Sequence, residues 1–364
     1  MKILQIGLGR WGKNHLKALK ALCDDLYVVD VDPDQLKTCD EFSVPVDHRS
    51  HDYRDFLDRV DGVDIVTPAD NHLAIARECF AKGKDVFVEK PIAFTSGEAR
   101  EMVALAEERG LVLQVGHIYR YHPASLKIKE LISAGKLGKI QYAYGHFMGF
   151  KRPRTDVGVT QTDAIHYFDL FNYLLDELPH AVRAVVRHFL NLTLDDTSIS
   201  VLEYGEKLAF VEAGYMPPET RRDLSIIGDL GSLYCNFQKN SLSFFENRHE
   251  KQGERWVALE GNAQQISLDA GEPLKLELSR FLDSIRNRSK PLADGRVGLE
   301  ALRIVEACYD SSQKRRRVEI DWSEAPRPQA GASRSGIHFI LCPLTPPIPQ
   351  RAGRGTFRSR VIQR

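Results

Sequence analysis

The chain has 364 residues, 43% of them hydrophobic and 27% charged, with 50 lysines and arginines balanced by 50 acids. That length suits two domains, and a net charge of zero supplies no bulk field for nucleic acid or an anionic membrane. No apolar run approaches the roughly 20 residues needed to cross a bilayer. The cysteines at 23, 39, 79, 235, 308 and 342 form no CxxC pair and no metal-ligand spacing, so reduced thiols and no metal are expected. Met1-Lys2 runs straight into ILQIGLG without a signal-peptide cleavage site, and the expected location is cytoplasmic.

Residues 1–117 alternate short apolar runs with helical patterns. Strands are predicted at KILQIGL, LYVVD, VPVD, VDIVTP, DVFVEKP and LVLQVGH. Between them WGKNHLKALKALC, HLAIARECFAKG and SGEAREMVALAEERG place apolar residues three and four apart. This alternation predicts right-handed βαβ units and a parallel sheet. From about residue 140 to 280 the period shortens to two in IQYAYGHFM, HAVRAVVRHFL, SISVLEY, KLAFVEAGY and SLSFFENR, which predicts a largely antiparallel sheet. Helices are predicted at SLKIKELISAG, DAIHYFDLFNYLL, LKLELSRFLDSIRN and GLEALRIVEACYDSSQ.

The fold class expected is therefore α/β. It comprises a Rossmann-type parallel sheet over 1–117, an α+β domain with a largely antiparallel sheet over 118–322, and a tail over 323–364. Residues 326–364 hold seven arginines, six prolines, no lysine and no acid. Such a composition has no periodic face to bury, so a disordered extension is expected there rather than a nucleic-acid arm.

GLGRWG sets Gly7, Gly9 and Gly12 in a GxGxxG spacing between the first strand and the first helix, the context that the dinucleotide fingerprint requires. The first glycine permits a tight turn, the second lets backbone approach a pyrophosphate, and the third lets the helix pack close to the strand. Arg10 and Trp11 lie in the same loop. The next strand ends at Asp30, where a carboxylate can accept both hydroxyls of an adenosine ribose. That favours NAD over NADP, although Arg10 could counter a 2′-phosphate and keeps NADP open.

The carboxyl ends of parallel strands are where such sheets bind ligands. VTPADNH brings Thr67, Pro68 and His72 to one such end, and VEKP brings Glu89 and Lys90 to the next. A lysine between a bound nicotinamide and an alcohol can relay the proton released with hydride transfer. Glu89 is expected to orient Lys90 or to bind the cofactor.

GLGRWG, TPADNH, VEKP, VGHIYRYHP, DAIHYFDL and SIIGDLGSL occur here in the order found in the Gfo/Idh/MocA family of sugar oxidoreductases, which the chain resembles over about residues 1–322. The resemblance implies a nicotinamide cofactor, hydride transfer at a sugar carbon, and a role for Lys90 in catalysis. It also implies a cis Lys90-Pro91 peptide and an open sheet that often forms oligomer contacts, hence a homo-oligomer, dimer or tetramer. His166 aligns with the family histidine that partners the lysine. Many members carry an aspartate four residues before that histidine, where this chain has Thr162. Asp163 stands three before it, and both offsets share a helix face with His166, so Asp163 is the candidate substitute. Asp169 matches a further acid expected to cap or anchor the helix.

For the substrate, GHIYRYHP offers His117, Tyr119, Arg120 and His122, and FKRPRTD offers Lys151, Arg152 and Arg154. Arginines suit a phosphate or a uronate carboxylate through bidentate bonds. GRWGKNH also resembles the opening of members that act on nucleotide-linked sugars. The substrate expected first is a UDP-N-acetylhexosamine oxidised at C3. The alternatives are an inositol-type polyol dehydrogenase and a non-catalytic NAD-binding regulatory protein.

Overall fold

A computed structural model describes residues 1–190 and 193–323. β1 (Lys2–Ile6), β2 (Asp25–Val29), β3 (Arg49–Ser50), β4 (Gly62–Ile65), β5 (Asp85–Val88) and β6 (Leu113–Val115) form a parallel sheet in the order β3-β2-β1-β4-β5-β6. β4 and β5 are buried at every position, as befits strands covered on both faces. The covering helices are α1 (Gly12–Lys20), α2 (His72–Ala81) and α3 (Ser96–Glu108). The predicted strand at VPVD is corrected: Val46–His48 form a 3₁₀ turn and pairing begins only at Arg49. Pro45, with no amide to give a ladder, ends the extended reading there. The strand order reverses beside β1, so the loops after β1, β4 and β5 open onto one crevice.

The second sheet uses β7 (Ile140–Met148), β8 (Ala181–Arg187), β9 (Thr197–Tyr204), β10 (Lys207–Gly214), β11 (Arg221–Gly228), β12 (Ser232–Asn236) and β13 (Ser241–Phe245). An exposed ribbon follows, β14 (Arg248–Gln252) and β15 (Arg255–Leu259), and then β16 (Ala263–Ile266) and β17 (Val318–Glu319) complete the strands described. The order is β16-β13-β12-β11-β7-β10-β9-β8-β17, antiparallel except where β7 runs parallel to β10. α4 (Pro123–Ser133) follows β6, and α5 (Ile165–Leu175) packs its aromatic residues into the core under the sheet.

α6 (Pro273–Asn287) and α7 (Gly295–Lys314) come late in the chain yet return to the first sheet's side. Leu274, Leu278, Phe281 and Leu282 of α6 share a core with Leu16 and Leu19 of α1. The expected tail, beyond Ser323, lies outside the described residues.

Candidate active site

The crevice is built first by the glycine turn. Gly7 sits at φ +102°, and a Cβ there would lie 2.5 Å from the Val66 carbonyl oxygen; one on Gly12 would lie 2.3 Å from the Gly7 carbonyl oxygen. Gly9 is different. A Cβ on it would meet nothing within 4 Å, so the backbone at this point faces open space, as an approaching pyrophosphate needs. Trp11, at the N-cap of α1, makes no side-chain cap, and the Lys13 and Asn14 amides turn inward to the Gly9 and Trp11 carbonyls. Asp30 accepts from the Leu8 amide at 2.6 Å and the Asp32 amide at 2.9 Å, so it fixes the loop while keeping lone pairs for a ribose. Arg10, in the same glycine loop, is exposed. These residues fit a dinucleotide.

Below the loop lies a buried chain that sequence reading missed. His15 places Nδ1 2.9 Å from Asp64 and Nε2 3.1 Å from Glu89. Two carboxylates face the two ring nitrogens, an arrangement that suits an imidazolium, although burial raises the pKa of Asp64 against the pull of His15. Burial would lower its pKa, but Asp64 and Glu89 outweigh burial and raise it to about 10. Glu89 also accepts from the Trp11 indole at 2.9 Å and from the Lys90 amide at 3.1 Å. Burial would raise Glu89, yet His15, Lys90 and Trp11 hold it below the ordinary glutamate value. The only earlier signal was a histidine in GRWGKNH, one helical turn beyond Trp11.

The expected cofactor role of His72 needs correction. Its ring is 1% exposed, with Nε2 2.9 Å from the Thr67 carbonyl and Nδ1 3.0 Å from that of Pro91. It clamps the loop after β4 to the loop after β5, and burial lowers its pKa. Thr67 and Pro68 remain at the crevice, with the Thr67 methyl against Gly7.

The Lys90-Pro91 peptide is cis. Lys90 Nζ crosses to the start of α5 and donates to the Thr162 carbonyl at 2.8 Å. A π-helical turn, Thr160–Ala164, precedes α5; its wider i→i+5 pairing disturbs the face on which sequence offsets of three and four were counted. Thr162 thus contributes its backbone oxygen, while its hydroxyl bonds the Gly158 carbonyl and the Tyr215 hydroxyl. Asp163 accepts from Lys151 Nζ at 2.6 Å. Asp195 anchors the turn by accepting from the Thr160 amide and hydroxyl.

His166 is buried, stacked on Phe147 at a centroid distance of 5.2 Å and edge-on to Tyr119 at 5.1 Å. Its Nδ1 is buried with no hydrogen-bond partner, as are both ring nitrogens of His117, whose Nδ1 lies 3.6 Å from Asp169. Buried polar atoms left this way mark where a ligand's polar groups belong. Burial first, then Lys90 and His117, push His166 well below 6.5. Burial likewise lowers Lys90, with Lys151 and Arg154 assisting against Glu89 and Asp163. Both groups are therefore driven toward their neutral, proton-accepting forms.

Two further candidates are placed differently than expected. Arg120 is buried and gives its guanidinium to Asp169 at 2.8 Å and to the Leu292 carbonyl, so it anchors α5 instead of offering itself to a substrate. His122 accepts from the Ala124 amide and caps α4, and burial lowers its pKa to about 4. Arg154 closes on both oxygens of Asp156. Arg152 is exposed.

A glycine turn at the switch point of a parallel sheet, an acid on the ribose side and a lysine at the crevice define a Rossmann oxidoreductase that uses NAD. Residues 1–117 match the description "Oxidoreductase family, NAD-binding Rossmann fold", and residues 129–320 match "Oxidoreductase family, C-terminal alpha/beta domain". The chain belongs to the Gfo/Idh/MocA oxidoreductase family. It is 27% identical to the UDP-N-acetylglucosamine 3-dehydrogenase of Acidithiobacillus ferrooxidans over 82% of this chain and 92% of that protein. It is also 27% identical to the scyllo-inositol 2-dehydrogenase (NAD(+)) of Bacillus subtilis, over 81% and 90%. The solved structure of the Acidithiobacillus enzyme superposes with a TM-score of 0.76 at 25% identity, covering 86% of this chain and 98% of that one.

Proposed function

We propose that the protein oxidises a secondary hydroxyl of a sugar, with residues 1–117 holding NAD and residues 118–322 holding the substrate. The observation that carries this reading is Lys90 reaching from the cofactor crevice to the Thr162 carbonyl beside His166. NAD held there would supply the hydride acceptor for the carbon. Lys90, with its ammonium disfavoured by burial, takes the hydroxyl proton, and His166 accepts a hydrogen bond from the substrate through a ring nitrogen that has no protein partner. Glu89 and Trp11 hold the floor of the cofactor site, with Gly7, Gly9, Arg10, Gly12, Asp30, Thr67 and Pro68 around it. His117, with no hydrogen bond at Nε2, is the further group assigned to the substrate. A non-catalytic NAD-binding role would not need a lysine and a histidine both driven toward neutral forms.

The substrate proposed is a nucleotide-linked sugar, a UDP-N-acetylhexosamine oxidised at C3 to a 3-keto product. The A. ferrooxidans relative, similar over most of both chains, supports it. The equal identity to an inositol dehydrogenase supports a polyol as the second reading. A panel of UDP-sugars, inositols and free hexoses, read by NADH formation, separates the two.

Tyr144, Leu208, Ile199, Val185 and Tyr234 are exposed large hydrophobic residues on neighbouring strands of the second sheet. Such a patch favours burial against a second copy of the chain in a homo-oligomer. No helix among the described residues is long and apolar enough to cross a membrane, and the cytoplasm is the proposed location.

Two results are expected. NAD should bind more tightly than NADP, and Asp30→Ala should narrow the gap by about 1–3 kcal/mol, the worth of a hydrogen bond to a charged acceptor; equal affinities in the unaltered protein would contradict the assignment. Asp163→Asn should lower kcat by about tenfold or more, because it removes the carboxylate that holds Lys151 in place beside the cleft. Thr162→Ala should be milder, since the carbonyl that receives Lys90 survives the substitution. Steady-state kinetics on the two variants checks the order.

A further inference from the structure

The segments around His166 carry several cations, and most of those turned inward are matched by a carboxylate. Lys151 is paired with Asp163, Arg154 with Asp156, and Arg120 with Asp169. Arg222, on β11, is not matched in this way. Its Cζ lies 3.7 Å from the Phe147 ring centroid, and Phe147 stacks in turn on His166 with 16° between the planes. Only Nη1 is engaged, by the Met148 and Arg221 carbonyl oxygens. Among the described residues no hydrogen bond joins Nε or Nη2 to a protein group, and no carboxylate pairs with the guanidinium.

Two neutral carbonyls orient a guanidinium without compensating its charge. The stacked ring removes its rotational freedom, so a planar fork of donors stands ready on the same Phe147 ring that stacks on the histidine of the site. That geometry suits a carboxylate or phosphate and is wasted on a neutral hydroxyl.

We infer that Arg222 is a specificity-determining residue that binds an anionic group of the substrate, a carboxylate or a phosphate, through the free edge of its guanidinium. The inference rests on the reading that Lys90 and His166 serve a sugar hydroxyl. It commits that reading to a charged sugar over an uncharged polyol, and it moves the anion contact from the FKRPRTD loop to β11.

The test uses the full chain and two matched pairs of compounds. UDP-N-acetylglucosamine against N-acetylglucosamine reports on phosphate, and glucuronate against glucose reports on carboxylate. NADH formation gives kcat/KM for each, and titration of the same compounds into the protein–NADH complex gives binding separately. Preference for the charged member of one pair is expected, and which pair shows it identifies the anion. Arg222→Gln should reduce that preference by roughly 10- to 100-fold, mostly through KM, the range for a lost charge-assisted hydrogen bond. Arg222→Lys, which keeps the charge without the fork, should fall between. No preference for either charged compound in binding would overturn the inference, as would equal losses on charged and neutral members in Arg222→Gln. Absence of turnover with all four and with the inositols overturns the dehydrogenase reading instead, while the binding preference still decides the role of Arg222.

Discussion

Replacing Lys90 with alanine is expected to lower kcat by about 100- to 10,000-fold, with little change in NAD affinity. The argument is one of position and charge. Lys90 leaves the end of β5 at the cofactor crevice, and its Nζ is fixed by the Thr162 carbonyl, a neutral acceptor that does not stabilise an ammonium as a carboxylate would. Burial lowers its pKa from 10.5, and Lys151 and Arg154 add to the shift. A lysine lowered in this way is protonated in acid and inactive as a base. Alcohol oxidation should therefore rise with pH along a limb that lies below 10.5, and Lys90→Ala should lose that limb. His166→Ala should fall in the same range of rate loss. The double variant should cost much less than the product of the two, because groups that act as one unit are not additive. Stopped-flow rates of NADH formation for the three variants test this; independent, multiplicative effects would dissolve the pair.

The second large effect concerns stability. His15→Ala should cost about 3–5 kcal/mol, because it strips the cation from between two buried carboxylates. His15 has a folded pKa raised from 6.5 to about 10. Its contribution is therefore fully present below pH 6.5 and is lost as the pH rises through about 10. The stability gap between the two proteins should be widest in mild acid and should close in alkali. Urea unfolding at a series of pH values measures it, and a gap below about 1 kcal/mol, or one that widens with pH, would remove the imidazolium from the account.

Much of this was legible in the chain because the relevant signals were local. GLGRWG between an apolar strand and an amphipathic helix, Asp30 at the next strand end, and VEKP each lie within a few residues. The illegible parts depend on distant partners. Glu89 could be read only as a group beside Lys90, since His15 joins it from 74 residues away and Asp64 joins His15 across 49. Arg120 looked like a substrate ligand because Asp169, which neutralises it, is on another helix. Arg222 had no motif around it, and the charged start of RRDLSIIG hid the strand that carries it. The offset argument for Asp163 assumed an α-helix where the backbone makes a π turn, a local irregularity that side-chain spacing does not announce.

The central claim is that Lys90 serves a sugar hydroxyl whose carbon gives hydride to NAD. NADH formation with the panel of UDP-sugars, inositols and hexoses, run in parallel on the unaltered protein and on Lys90→Ala, tests it most directly. The account predicts reduction of NAD with at least one sugar, most strongly a charged one, and a loss of about 100-fold or more in the variant. Full activity in Lys90→Ala, or NAD binding with no reduction by any sugar, would contradict it.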